Sequence, residues 1–152
     1  MKRADDTKTE IIEVLLGGQH YGINAGIVKE IIAYHKVTLV PNAHPSIEGV
    51  FMPRNQMITA IDLKNCLQMG NCSEGGFFVI TQLEELEVAF HIDSVAGIHK
   101  VENDEIIDIG FSGQGNGYTA GVLKNDSSLI ILLDVAKIVQ DINPNVISEV
   151  VN

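Results

Sequence analysis

Apolar residues come along this chain in short runs separated by polar breaks rich in Gly, Asn, Asp and Pro, the pattern of a sheet protein built from many short strands. Residues 10–16 mix isoleucine, valine and leucine, and Gly17-Gly18 then turns the chain so that residues 19–24 pair back as the second arm of a hairpin. Residues 37–40 read as a strand stopped by Pro41. Residues 47–51 and 57–61 form a second hairpin whose tip carries Met52, Pro53, Arg54, Asn55 and Gln56. A third hairpin joins 77–81 to 87–92 through an acidic turn, 95–101 extends the sheet, and 120–123 with 129–133 make a fourth. Residues 103–109 fit neither period, and 111–119, with its three glycines, reads as a surface loop.

Helical spacing interrupts this pattern at three places. Ile27, Val28, Ile31 and Ile32 predict one or two turns of helix over residues 25–32, which would carry Glu30. Asp62, placed just before Leu63, predicts a capped short helix running to Leu67. Asp134 precedes Val135, Ile138, Val139 and Ile142, an i, i+3, i+4, i+7 stripe that predicts an amphipathic C-terminal helix ended by Asn143-Pro144.

The chain also repeats itself. An offset of 72 lays Gly49-Val50 over Gly121-Val122, Ile58 over Ile130, Ile61 over Leu133, Asp62 over Asp134 and Leu63 over Val135. An offset of 69 lays Ile23-Asn24-Ala25 over Ile92-Asp93-Ser94. Each half then reads hairpin, crossover, hairpin, capped helix. Similar units make similar modules, so the expectation is a mainly β protein of two small β-barrels that share a core.

Composition narrows the function. At 152 residues, with 45% apolar and 20% charged positions, the chain can bury a stable core without covalent staples. A formal charge of −10 repels polyphosphate and gives no attraction to anionic lipid, so neither nucleic acid nor membrane is expected as a partner. No apolar run approaches the ~20 residues of a membrane span, and residues 1–10 lack the apolar centre of a secretory leader, which predicts a cytoplasmic protein. Cys66 and Cys72 match neither a redox pair nor a zinc half-site and are expected as free thiols.

Catalytic chemistry finds little support. His91 and Asp93 stand two apart in a strand and would share a face, as a dyad or as two metal ligands, but no third partner is evident. His20, His35, His44 and His99 lack metal-ligand spacing. Residues 113–117 fail the phosphate-loop pattern because Tyr118 follows where Lys and Ser or Thr would stand. No serine sits in a nucleophile elbow. No catalytic residue, metal or cofactor is therefore expected. What remains is an arginine at a hairpin tip and a Glu in a short apolar helix, both suited to a protein interface because the guanidinium fork makes several hydrogen bonds while its stem packs.

The order Tyr21-Gly22-Ile23-Asn24, Ile27-Val28-Lys29-Glu30-Ile31-Ile32, Val37-Thr38-Leu39-Val40-Pro41-Asn42-Ala43 and Ile47-Glu48-Gly49-Val50 resembles the CheW-like chemotaxis coupling domains. The likeness continues through Ile58-Thr59-Ala60-Ile61-Asp62-Leu63, Ala89-Phe90-His91-Ile92-Asp93-Ser94-Val95 and Gly121-Val122 to Asp134, over residues 10–142. It implies two intertwined five-stranded barrels, the second half beginning near Phe77, with residues 1–9 a flexible segment and 143–152 a tail or linker. It also implies a non-enzymatic adaptor between the cytoplasmic tips of chemoreceptors and the chemotaxis histidine kinase. Glu30 and Arg54 match family positions used in partner binding, and Val28 and Asn55 beside them complete the candidate contacts. Where the family usually has Asn-Leu-Arg-Gly, this chain has Met52-Pro53-Arg54-Asn55, so the arginine stays while Asn55, which tolerates left-handed backbone, replaces glycine. His44-Pro45 and the 91–99 segment resemble the coupling half of CheV-type proteins, whose receiver is absent here. The competing expectation is a small barrel that binds a ligand or metal through His91, Asp93 and the glycine-rich loop.

Overall fold

The computed structural model describes residues 7–108 and 117–142. Eleven strands and two helices follow in chain order: β1 (Lys8–Leu16), β2 (Gln19–Asn24), β3 (Val28–Ala33), β4 (Ile47–Phe51), β5 (Ile58–Asp62), α1 (Leu63–Cys66), β6 (Phe77–Leu83), β7 (Leu86–Ile92), β8 (Ser94–Glu102), β9 (Ile106–Ile107), β10 (Thr119–Asn125), β11 (Ser128–Leu133) and α2 (Val135–Ile142). All four expected hairpins form, and both aspartates cap as predicted: Asp62 accepts from the Asn65 amide and Asp134 from the Lys137 amide. In α2 the buried residues are Val135, Ile138, Val139 and Ile142, the stripe the spacing predicts.

The strands make two sheets, a six-stranded one ordered β8-β1-β2-β11-β10-β9 and a five-stranded one ordered β3-β6-β7-β5-β4. Both orders run between free edges, so among the described residues neither sheet hydrogen-bonds into a closed barrel, and only the second has five strands. Each sheet combines one hairpin from each half of the chain. The joints are parallel: β2 with β11 and β7 with β5.

Three apolar clusters explain the layering. The largest draws on both sheets and both helices, including Val14, Leu16, Ile23, Ile61, Phe90 and Ile138. Each sheet also bends around a cluster of its own on its other face. In the six-stranded sheet that cluster is aliphatic, with Ile11, Leu123, Ile130 and Leu132. In the five-stranded sheet it is aromatic, with Phe51 and Phe78 beside Ile58, Ala60, Ile80 and Ala89. Alternate residues of one strand therefore enter different cores, and β5 is buried at every position.

The repeat is written into the backbone. Registers slip at equivalent places, between Ile47 and Gly49 on β4 and between Thr119 and Gly121 on β10. At Gly49 another backbone segment passes too close for a side chain, since a Cβ would lie 2.3 Å from the Thr38 carbonyl oxygen; at Gly121 the fit is tight, a Cβ lying 2.8 Å from the Ile106 Cγ2 methyl and 3.1 Å from the Ile107 carbonyl oxygen. Thr38 bridges Val50, and Ile107 pairs with Val122.

Three expectations fail. Residues 25–32 form no α-helix; a 3-10 turn at Ala25–Ile27 leads into β3, which pairs with β6. A bulge between Val28 and Glu30 breaks the alternation, and Ile31 and Ile32 face different cores, so a two-sided strand imitates helical spacing. Residues 37–40 contribute a single bridge at Thr38 in place of a strand, with Leu39 largely exposed. At the N-terminus Lys8 and Thr9, expected in the flexible segment, already belong to β1. Residues 1–6, most of the glycine-rich loop and the 143–152 tail lie outside the described residues.

Candidate functional site

The β4–β5 connection projects Arg54 outward, with 65% of its side chain exposed, and the guanidinium turns back to Glu30. Arg54 Nη2 donates to Glu30 Oε2 at 2.6 Å. Glu30 lies on β3 and Arg54 follows β4, the two strands at opposite edges of the five-stranded sheet, so the pair joins the edges that backbone hydrogen bonding leaves apart. The hydrogen bond from Arg54 holds the Glu30 carboxyl below the usual carboxylate range, outweighing partial burial. The other oxygen, Glu30 Oε1, is buried and has no hydrogen-bond partner among the described residues.

The structure thus brings Glu30 and Arg54 together, with Glu30 on a strand edge rather than on the expected helix. Val28 opens β3 and turns its side chain into the core shared by the sheets, away from that pair. Asn55 is exposed in the same turn as Arg54 but is not among the described non-glycine residues with left-handed backbone, which are Asn42, Gln68, Glu84 and Asp126. Met52, in the same turn, is an exposed large apolar side chain.

His91 and Asp93 do not act as a unit. Asp93 lies beyond the end of β7, where its Oδ2 accepts from the Gly17 amide at 2.7 Å and pairs with Lys64 at 3.2 Å. His91 is 1% exposed and stacks on Tyr34, with ring centroids 5.0 Å apart. Its Nδ1 contacts Glu48 Oε1, and its Nε2 lies 2.6 Å from the Gly75 carbonyl oxygen. Burial works against the charged ring, yet Glu48 and the Gly75 carbonyl together raise its pKa. Glu48 carries no signal in the sequence, since it sits at the register shift between Ile47 and Gly49 of β4, which strand alternation does not foretell.

A second carboxylate–histidine cluster lies on the six-stranded sheet. Glu13 of β1 meets His20 of β2 at 2.5 Å and His99 of β8 at 2.7 Å. The residues paired with Glu13 on both flanking strands are glycines, Gly22 and Gly97, which leaves room for the histidines to reach it diagonally. Both cysteines are free thiols; burial pushes Cys66 up to about 11 and Cys72 to about 12, a range in which neither is a ready nucleophile.

Two sheets that exchange hairpins, with short helices packed against their shared core, define a mainly β domain. The family model for the CheW-like domain matches residues 10–143. Chemotaxis protein CheW of Treponema pallidum is 29% identical over 88% of this chain and 84% of its own length. Its namesake from Thermotoga maritima is 23% identical over 88% and 89%. The crystal structure of the scaffolding protein TtCheW from Thermoanaerobacter tengcongensis superposes with a TM-score of 0.75 at 22% identity, covering 84% of each chain, and shares the fold. This chain belongs to the CheW-like domain family.

Proposed function

We infer that this chain is a non-enzymatic chemotaxis adaptor that couples chemoreceptors to the chemotaxis histidine kinase. The family match over residues 10–143 carries the reading. The finer assignment is our proposal: a docking unit over residues 10–142, its second half beginning near Phe77 and each sheet forming the open wall of a small barrel. That unit works in the cytoplasm, engaging receptor tips and the kinase. No helix among the described residues is long and apolar enough to cross a membrane.

Within this reading Arg54 and Glu30 are the binding core, and Asn55 flanks them. Arg54 has donors left over after its bond to Glu30, and Glu30 Oε1 is an acceptor waiting for one. A partner that supplies a donor to Oε1 satisfies a buried oxygen at the moment of docking, which favours the bound state. Val28 supports β3 from the core side. Arg54→Ala should weaken binding to receptor or kinase fragments about tenfold or more in co-sedimentation and titration. Unchanged binding to both would remove Arg54 from the interface while leaving the adaptor reading to be tested by wild-type binding itself.

A further inference from the structure

Three segments distant in sequence converge beside the ring of His91. Glu48 comes from the bulge in β4, Cys72 from the loop after α1, and His91 from β7, and one ligand-type atom of each lies within 4.8 Å of the others. We propose that Glu48, Cys72 and His91 bind a single divalent cation of borderline softness, zinc being the best chemical match. This site is separate from the Arg54 turn and shares only His91 with the ligand set that the sequence raised, Glu48 and Cys72 standing in place of Asp93 and the glycine-rich loop.

The donor set is one imidazole, one thiolate and one carboxylate, the mixture that selects zinc over hard cations. Its supporting contacts are also present. His91 Nε2 donates to the Gly75 carbonyl, which fixes the ring with Nδ1 turned towards the Glu48 carboxylate and leaves it as the nitrogen free to ligate. Metal-bound histidines are held in this way by a carbonyl or carboxylate on the far nitrogen. Cys72 is placed by its backbone: its amide donates to Asp62 Oδ2 at 2.8 Å. Asp62 Oδ1 is taken by the Asn65 amide, so Asp62 orients the loop rather than ligating.

Access and charge agree with the donor set. Glu48, Cys72 and His91 line a cleft of about 430 Å³ that Lys36 and Glu74 also border, with room for a water as fourth ligand. In a tetrahedral zinc site ligand atoms sit roughly 3.4 Å apart, so a small closure of the Cys72 loop onto His91 suffices. Binding exchanges one set of contacts for another. The Cys72 Sγ proton, donated to the His91 carbonyl oxygen in the ion-free site, leaves to solvent, and sulfur takes the cation as thiolate. The proton shared between Nδ1 and Glu48 leaves to solvent as well, so that Nδ1 offers its lone pair and the Glu48 carboxylate turns from the ring to the ion. Two negative ligands then balance the cation's charge.

The test titrates the full chain, stripped with chelator, with zinc and separately with cobalt(II). One equivalent of either should bind, and cobalt should produce a near-ultraviolet thiolate charge-transfer band. Cys72→Ser should abolish the band and weaken zinc at least about 100-fold, beyond the range of a lost supporting contact. Cys66→Ser should leave both intact. His91→Gln, checked for fold by circular dichroism, should lose zinc to a similar extent. Absence of stoichiometric binding, a band that follows Cys66, or zinc uptake unaffected by Cys72→Ser overturns the proposal.

Discussion

At the end of β5 and again at the end of β11 the backbone does the same thing. A glycine-linked bulge precedes it, an Asp closes the strand, its amide donates to a carbonyl sixteen residues back (Ser46 in one copy, Tyr118 in the other), and its side chain caps the next helix. The copies differ in depth. Asp62 is buried, and its second oxygen also anchors the Cys72 amide, whereas Asp134 sits half-exposed at the start of α2. The private cores differ as well, stacked aromatics in the five-stranded sheet against aliphatics in the six-stranded one. Repetition has kept the backbone device and left the side-chain environments free to diverge, and the more tightly packed copy is the one that carries Arg54, Glu30 and the cleft at His91.

This contrast can be broken by mutation. The largest effect belongs to Phe78, fully buried and stacked on Phe51 with centroids 4.7 Å apart. Phe78→Ala should cost ~3–5 kcal/mol in urea denaturation, since the cavity cannot collapse against neighbouring rings. A loss below about 1 kcal/mol would show that the aromatic core is not close-packed. Next come the paired caps: Asp62→Ala should cost about 2–4 kcal/mol, combining a lost cap with an unsatisfied amide at Cys72, and Asp134→Ala about 1 kcal/mol. Equal losses would refute the difference in depth.

The smallest effect is a pH dependence centred on Glu13. Burial raises its pKa, but His99 and His20 outweigh burial and leave it below the ordinary value. A lowered carboxyl stabilises the fold fully above its unfolded pKa of roughly 4.3, and that contribution fades as pH falls through the folded value. Glu13→Gln should flatten the acid limb of stability between about pH 3 and 5. An acid limb identical to the wild type would exclude Glu13 as its source.

Much of this architecture was legible because its strands are β-branched runs bounded by Gly, Pro and Asp, and because α2 carries an uninterrupted stripe. β3 was misread for a physical reason. Its bulge and its two buried faces erase the alternation that marks a half-exposed strand, so Ile31 and Ile32 look like helix neighbours. Leu39 misled in the opposite sense, an apolar residue in a strand-like run that the fold leaves largely exposed. Of the candidate site, the exposure of Arg54 could be read from its turn, while its bond to Glu30 depends on the sheet curling until its edges meet. Glu48 and Cys72 could not be read at all, because a one-residue bulge and a loop anchored on Asp62 bring them to His91.

The exchange of hairpins between halves also governs how the molecule is made. Neither sheet can be completed from the first half alone, because β1 and β2 need β8 and β11 as neighbours, and β4 and β5 need β7. A nascent chain can therefore complete the five-stranded sheet only once β7 has been made and the six-stranded sheet only once β11 has, so its folding is committed late by contacts between distant segments. Division of the chain between β5 and β6 would leave two pieces, each lacking strands that its sheets need as neighbours.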